Sequence, residues 1–249
     1  MRIESVGLSH VGRRNNNEDA YCVEPALGLF AVADGMGGYE GGEVASKLAI
    51  DAITGFLRRN AGDDDVTWPF GLDASLSIDE NLALVASRIA HHEVQRKKVG
   101  VLAQMGSTLA TLLVKHDHVV LAHIGDSRIY RMRDGVLEQL TVDHSMYEEM
   151  RRHHGRDVPP KAETAYGHMI TRALGMDGDP RADVRREALR CGDTFLLCTD
   201  GLTEAMTDDD LALALCSADL DGTCRGLVED AYERGGRDNI TAVLARAVH

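Results

Sequence analysis

The chain has 249 residues, 44% of them hydrophobic and 27% charged, enough to bury a core without disulfides or structural metals as staples. Its net charge of -13 argues against nucleic acid as the main partner. No stretch approaches the ~20 apolar residues that span a bilayer, and the start, Met1-Arg2-Ile3-Glu4-Ser5, lacks the apolar region of a secretory signal, so no membrane contact and a cytoplasmic location are expected.

The N-terminus leads into a strand-like segment. Residues 28–34, Gly-Leu-Phe-Ala-Val-Ala-Asp, form an apolar run that ends on an acid followed by glycines, a buried strand delivering Asp34 to a turn. Val44, Leu48, Ile53, Phe56 and Leu57 recur at helical spacing and predict an amphipathic helix over 43–59. Residues 61–75, rich in Asp, Gly and Pro, read as a surface loop, with Asp63-Asp64-Asp65 a solvated acidic run. Ser77 with Glu80 three positions on is a capping box, opening a helix that runs to about residue 98. Short β-rich runs follow at 108–114, 119–124, 128–133 and 136–140, divided by His116-Asp117, Gly125-Asp126 and the hairpin signal Asp134-Gly135. They predict an antiparallel meander.

Helix is expected from 145 to 154, then a polar flap containing Pro159-Pro160, so that 145–168 forms a mobile cover. A buried strand over 194–199 ends on Asp200-Gly201. Helices follow near 208–217 and 223–234, and a closing strand over 240–247. Strands and helices are grouped rather than alternating, which favours antiparallel sheets covered by helices, an α+β fold. No domain boundary is evident, and 1–249 reads as one domain. The five cysteines form no C-x-x-C pair and read as buried, reduced thiols. The pairs His91-His92 and His153-His154 point to different sides of a helix and read as surface histidines.

The chemistry lies in acid-bearing turns: Asn17-Glu18-Asp19, Asp34-Gly35-Met36-Gly37-Gly38, Gly125-Asp126-Ser127-Arg128, Thr199-Asp200-Gly201 and Arg237-Asp238-Asn239. Asp34, Asp126 and Asp200 end apolar strands, and Asp238 immediately precedes one. A charge in such a place needs a compensating partner. A divalent cation is one, and all-oxygen ligation selects hard ions such as magnesium or manganese. Gly35 leaves room for its backbone carbonyl to approach an ion. No phosphate-cradling G-x-x-x-x-G-K-[ST] occurs.

Taken in order, Arg14-Asn15-Asn16-Asn17-Glu18-Asp19, Val32-Ala33-Asp34-Gly35-Met36-Gly37-Gly38, Gly106-Ser107-Thr108, Gly125-Asp126-Ser127-Arg128-Ile129-Tyr130-Arg131, Asp143-His144-Ser145, Thr171-Arg172-Ala173-Leu174-Gly175, Thr199-Asp200-Gly201-Leu202 and Asp238-Asn239-Ile240-Thr241 resemble the PPM-type metal-dependent protein phosphatases (protein phosphatase type 2C), the bacterial branch above all. The resemblance spans nearly the whole chain. It implies a four-layer sandwich of two antiparallel β-sheets flanked by α-helices, with Mg2+ or Mn2+ in a channel at one end, two core ions and a third. By position, Asp34 matches the aspartate bridging two metals and Gly35 the carbonyl donor. Asp200 and Asp238 match further ligands of the first metal. Glu18 and Asp19 match the acidic pair supporting the second. Asp126 matches the ligand of the third ion, helped by Asp200, and Arg14 the arginine that grips substrate phosphate, for which a bidentate guanidinium is suited.

The implied reaction is hydrolysis of phosphoserine and phosphothreonine on phosphorylated proteins. Water between two cations about 3.5–4 Å apart loses a proton near neutral pH and attacks phosphorus in line. No cysteine has an arginine six residues later, so the cysteines need no catalytic role. This chain departs from its relatives at Tyr39, where a histidine is frequent, which questions how the leaving group is protonated, and at His10, where an acid is usual. A partner-switching phosphatase and a catalytically silent interaction module are the alternatives. The absence of a sensor segment and the presence of Arg14, Asp34, Asp200 and Asp238 favour an active enzyme opposing a serine/threonine kinase.

Overall fold

The computed structural model describes residues 1–37, 41–61, 68–155, 158–161, 164–167, 169–179 and 181–249. Among them are strands β1 (Arg2–His10), β2 (Asp19–Glu24) and β3 (Leu29–Met36), helices α1 (Gly41–Asn60) and α2 (Ile78–Lys97), strands β4 (Gly106–Ser107), β5 (Leu109–Val114), β6 (His118–Ile124), β7 (Arg128–Arg133) and β8 (Val136–Gln139), helix α3 (Met146–His154), strands β9 (Asp183–Ala188) and β10 (Thr194–Cys198), helices α4 (Asp200–Ala205), α5 (Asp208–Leu215) and α6 (Leu220–Glu233), and strand β11 (Ile240–Val248). One sheet has the order β1-β11-β10-β7-β8, the other β2-β3-β5-β6-β9 with β4 paired to β3. Every pairing is antiparallel.

The layering follows from the two-residue period of the strands. On β3, Leu29, Ala31 and Ala33 turn to Ala49, Ile53 and Leu84 of α1 and α2. Phe30 and Val32 turn the other way, onto Ile129, Phe195, Leu197 and Val243 of the second sheet. That sheet's far face, with Leu196, Cys198 and Leu244, packs on Leu211, Leu227 and Val228 of α5 and α6. The result is the expected four-layer α+β sandwich. Ser77 caps α2 in the predicted box, accepting from the Glu80 N–H while Glu80 reaches back to the Ser77 N–H at 2.9 Å.

Several local expectations change. The meander is divided: β5 and β6 belong to one sheet, β7 and β8 to the other. Gly125, at φ +101, makes the crossing. Strands β2, β4 and β9 and the short α4 carry no clear sequence signal. Strand β3 continues through Asp34 to Met36 instead of turning at Asp34. His91 is buried, with the Gly175 N–H donating to its Nδ1 at 3.1 Å, because it plugs the loop packed on α2. Cys22, Cys198 and Cys224 are buried, whereas Cys191 and Cys216 are exposed. The run Asp63–Asp65 and parts of the 145–168 flap lie outside the described residues. No helix among the described residues is long and apolar enough to cross a membrane.

Candidate metal centre

On β3 the alternation that sends Phe30 and Val32 between the sheets reaches Asp34 next. Its direct neighbour across the strand pair is Asp19 of β2. Two acids in directly opposed positions repel one another, and here Asp19 is buried and Asp34 half-buried, so the pair is tolerable only with a proton or a cation close by. Asp34 is held by its backbone: its N–H donates to Thr108 Oγ1 at 2.9 Å, and its carbonyl accepts from the Thr108 N–H and from Ser107 Oγ. Thr199 and Thr241 donate to Asp19 Oδ2 at 2.8 and 2.6 Å. Both hydroxyls come from the facing sheet, at the end of β10 and the start of β11. Asp19 Oδ1 is buried with no partner.

Asp200 begins α4, and its Oδ1 is likewise buried with no partner. Its carboxylate stands close enough to Asp34, Asp126 and Asp238 to feel their charges. Burial is the largest cause pushing Asp34 well above the usual carboxylate range, Asp19 up to about 7 and Asp200 up to about 8, and neighbouring acids add to it. Asp126, just past the end of β6, is raised by burial and then by Asp143.

Glu18 is fixed at both backbone ends: its N–H donates to Asn239 Oδ1 at 2.7 Å and its carbonyl accepts from the Gly35 N–H at 3.1 Å. Its carboxylate faces the N-terminus of α1 at Gly42, where the helix dipole favours a negative charge. Gly35 is required by this packing, since a Cβ there would run into the Gly42 carbonyl. Arg14 Nη2 donates to Asp238 Oδ2 at 2.7 Å, with the guanidinium side chain still 57% exposed. Asn239 joins this loop to the start of β11 by donating to the carbonyls of Val11 and Asn16, each at 2.9 Å.

These elements enclose a cavity of about 370 Å³ whose walls include Arg14, Glu18, Asp34, Gly35, Thr108, Asp126, Ile170, Asp200 and Asp238. Seven of the eight predicted site residues line it, and Asp19 stands behind Asp34. The arrangement fits divalent cations. It has oxygen donors of the hard type, two of them orphaned, and buried like charges that a cation would relieve. Sequence reasoning assigned no role to Asn239, Thr199, Thr241 or Thr108, because a threonine or asparagine beside an acid carries no signal until the fold aims it. Tyr39 lies outside the described residues. His10 accepts the Gly12 N–H at 2.9 Å and packs against Tyr232 with ring centroids 4.8 Å apart, bracing the loop from outside the cavity.

Known proteins share this architecture. The family model described as "Protein phosphatase 2C" matches residues 6–244. The serine/threonine protein phosphatase PstP of Mycobacterium tuberculosis is 37% identical over 240 residues, covering 94% of this chain and 43% of that protein. The chain thus spans less than half the length of that relative. Protein phosphatase PhpP of Streptococcus pneumoniae is 31% identical over 250 residues, covering 95% of this chain and 94% of PhpP. A crystal structure of M. tuberculosis PstP superposes with a TM-score of 0.85 at 32% identity over 100% of both chains. The PstP catalytic domain in complex with two manganese ions superposes with a TM-score of 0.83 at 33% identity over 99% of both chains. With the family pattern running from β1 to β11 and the acids of that pattern gathered around one cavity, the chain belongs to the protein phosphatase 2C family.

Proposed function

We propose that residues 1–249 act as one catalytic domain, a metal-dependent phosphatase that removes phosphate from phosphoserine and phosphothreonine in proteins. The observation that carries the reading is the pair of opposed acids, buried Asp19 and half-buried Asp34, beside the orphaned Asp200 oxygen, at the wall of a cavity that Arg14 also lines. Asp34, Asp200, Asp238 and the Gly35 carbonyl would hold the core ions with Glu18 and Asp19 in support, and Asp126 with Asp200 an outer one. Bound there, magnesium or manganese supplies water activation and neutralises charge on the phosphate. The relative crystallised with two manganese ions supports that choice.

The chain's own residues do the rest. Arg14 leaves its exposed pair with Asp238 to donate to two phosphate oxygens. Asp34 and Asp200, whose carboxylates crowd one another, would hold the ion that relieves their repulsion. Thr199 and Thr241 hold Asp19 so that its orphaned oxygen faces inward. Cys198, two residues before Asp200, offers no nucleophile: it is fully buried, and burial pushes its thiol up to about 12.

The phosphoproteins would be substrates of a serine/threonine kinase, or the kinase itself, placing the enzyme in signal transduction. A cytoplasmic setting without membrane or nucleic-acid partners is supported by the acidic charge and by five cysteines outside any disulfide. The deciding assay is phosphate release from a phosphothreonine peptide with and without manganese. Turnover should vanish on chelation and return with manganese or magnesium. Full turnover in excess EDTA, with the protein shown metal-free by elemental analysis, refutes the reading.

A further inference from the structure

His123 on β6, His144 just before α3 and Asp183 at the start of β9 have donor atoms within 4.8 Å of one another. Both imidazoles are buried, and they stack with ring centroids 4.5 Å apart. The spacing suits a metal, but the hydrogen bonds point elsewhere. The Gly125 N–H donates to His144 Nδ1 at 3.1 Å, so the Nδ1 lone pair is already taken. Nε2 is shared between Arg172 Nη1, a donor, and Asp183 Oδ2, an acceptor, each at 3.2 Å, and is left open to no cation. Arg172 Nη1 also donates to Asp183 Oδ1 at 2.9 Å, a positive charge where an ion would have to sit.

We propose that His144 is a positioning residue for Asp126 and that Asp183, with Arg172, seats its ring. Both polar backbone groups of Gly125 end on His144: the N–H on the ring, and the carbonyl on the His144 N–H at 2.9 Å. Gly125 is the left-handed residue that carries the chain between sheets, and a Cβ there would lie 2.6 Å from Thr108 Cγ2. The next side chain is Asp126, and only a rigid turn aims it into the cavity. The His144 carbonyl accepts the Thr171 N–H at 2.8 Å, so the same residue also braces the segment carrying Ile170, another wall of the cavity. The Asp183 carboxyl is held well below its usual range, chiefly by His144 beside it and also by Arg172, and so stays charged at the edge of the ring. The inference rests on the reading of Asp126 as ligand of an outer ion.

Calorimetric titration of the full chain with manganese tests it. Asparagine at 144 places an amide oxygen near the position of Nδ1 and keeps an acceptor for Gly125; glutamine reaches towards the position of Nε2 and loses it. Supporting residues of this kind are typically worth 10–100-fold in metal affinity, so His144→Gln should weaken the outer site by about that factor, His144→Asn by about threefold or less, and neither should change the inner sites. Equal effects of the two variants, or none, overturn the proposal. If His144→Gln fails to fold, Asp183→Ala, at a half-exposed side chain, should weaken the outer site by about tenfold, and an unchanged affinity overturns the proposal. Asp126→Ala separates the two layers of argument. If it keeps every manganese site, the ion reading falls and the inference with it. If it loses one site that the 144 variants leave intact, the inference alone falls. A site kept in Asp126→Ala but lost in Asp183→Ala puts a metal between His144 and Asp183, and overturns the proposal.

Discussion

Asp34 occupies a place where the alternation of β3 would otherwise set another core side chain after Phe30 and Val32, and Asp19 faces it across the strand pair. Asp34→Asn removes a charge from this cluster and a ligand from the proposed core. It should lower kcat by at least about 100-fold, the scale of losing one charge-stabilising group, while the metal-free protein keeps its fold and melts no lower than wild type. Asp238→Asn should lose activity similarly; near wild-type kcat in either variant refutes the assigned core. The raised carboxyls also fix a pH dependence. Asp19 at about 7 and Asp200 at about 8 bind more protons in the folded state than in the unfolded one, where aspartate titrates near 3.9. Metal-free stability is therefore greatest at the acid end of the window and falls as pH rises from about 4 to 8. Saturating manganese should reverse that slope above neutrality. Melting curves from pH 5 to 8.5, with and without manganese, check this, and a metal-free Tm that rises across the window contradicts it.

Elements differ in how much of themselves they show in sequence. The helices are legible because their apolar period and caps are local, as in the Ser77–Glu80 box; Ser77→Ala should cost about 1 kcal/mol, measurable by denaturant titration. Strand β9 escaped because Asp-Val-Arg-Arg-Glu-Ala shows little apolar surface. It is a sheet edge whose Arg185 and Glu187 pair with each other, while Glu187 also accepts from Arg131 of the facing sheet. Charged edges of this kind guard against further pairing. The crossing at Gly125 looks in sequence like a hairpin turn, since a glycine-acid pair between two apolar runs is consistent with either. Gly125→Ala should destabilise by about 1–3 kcal/mol, because it adds a Cβ to a left-handed residue pressed on Thr108. It should also weaken manganese binding at Asp126. A variant as stable as wild type contradicts the crowding.

For the whole molecule, the central layer between the sheets joins distant segments: Phe30 and Val32 meet Ile129, Phe195 and Val243. Phe30→Ala should cost about 3–5 kcal/mol and lower manganese affinity too, because β3 carries both Phe30 and Asp34. Unchanged affinity in a destabilised but folded variant would separate core from site. The amino-acid sequence by itself determined the amphipathic helices and the Ser77 cap, most of the apolar strands, the order of the acid-bearing turns and, through that order, the family. All of these are recorded in short windows of sequence. Tertiary structure alone decided which sheet β7 and β8 joined, that Asp19 lies opposite Asp34, that Thr199 and Thr241 reach across to Asp19, and that His144 holds Gly125. Such pairings depend on register and on contacts between residues far apart in the chain. A two-residue strand period records which side chains share a face but not which strand will lie across from them.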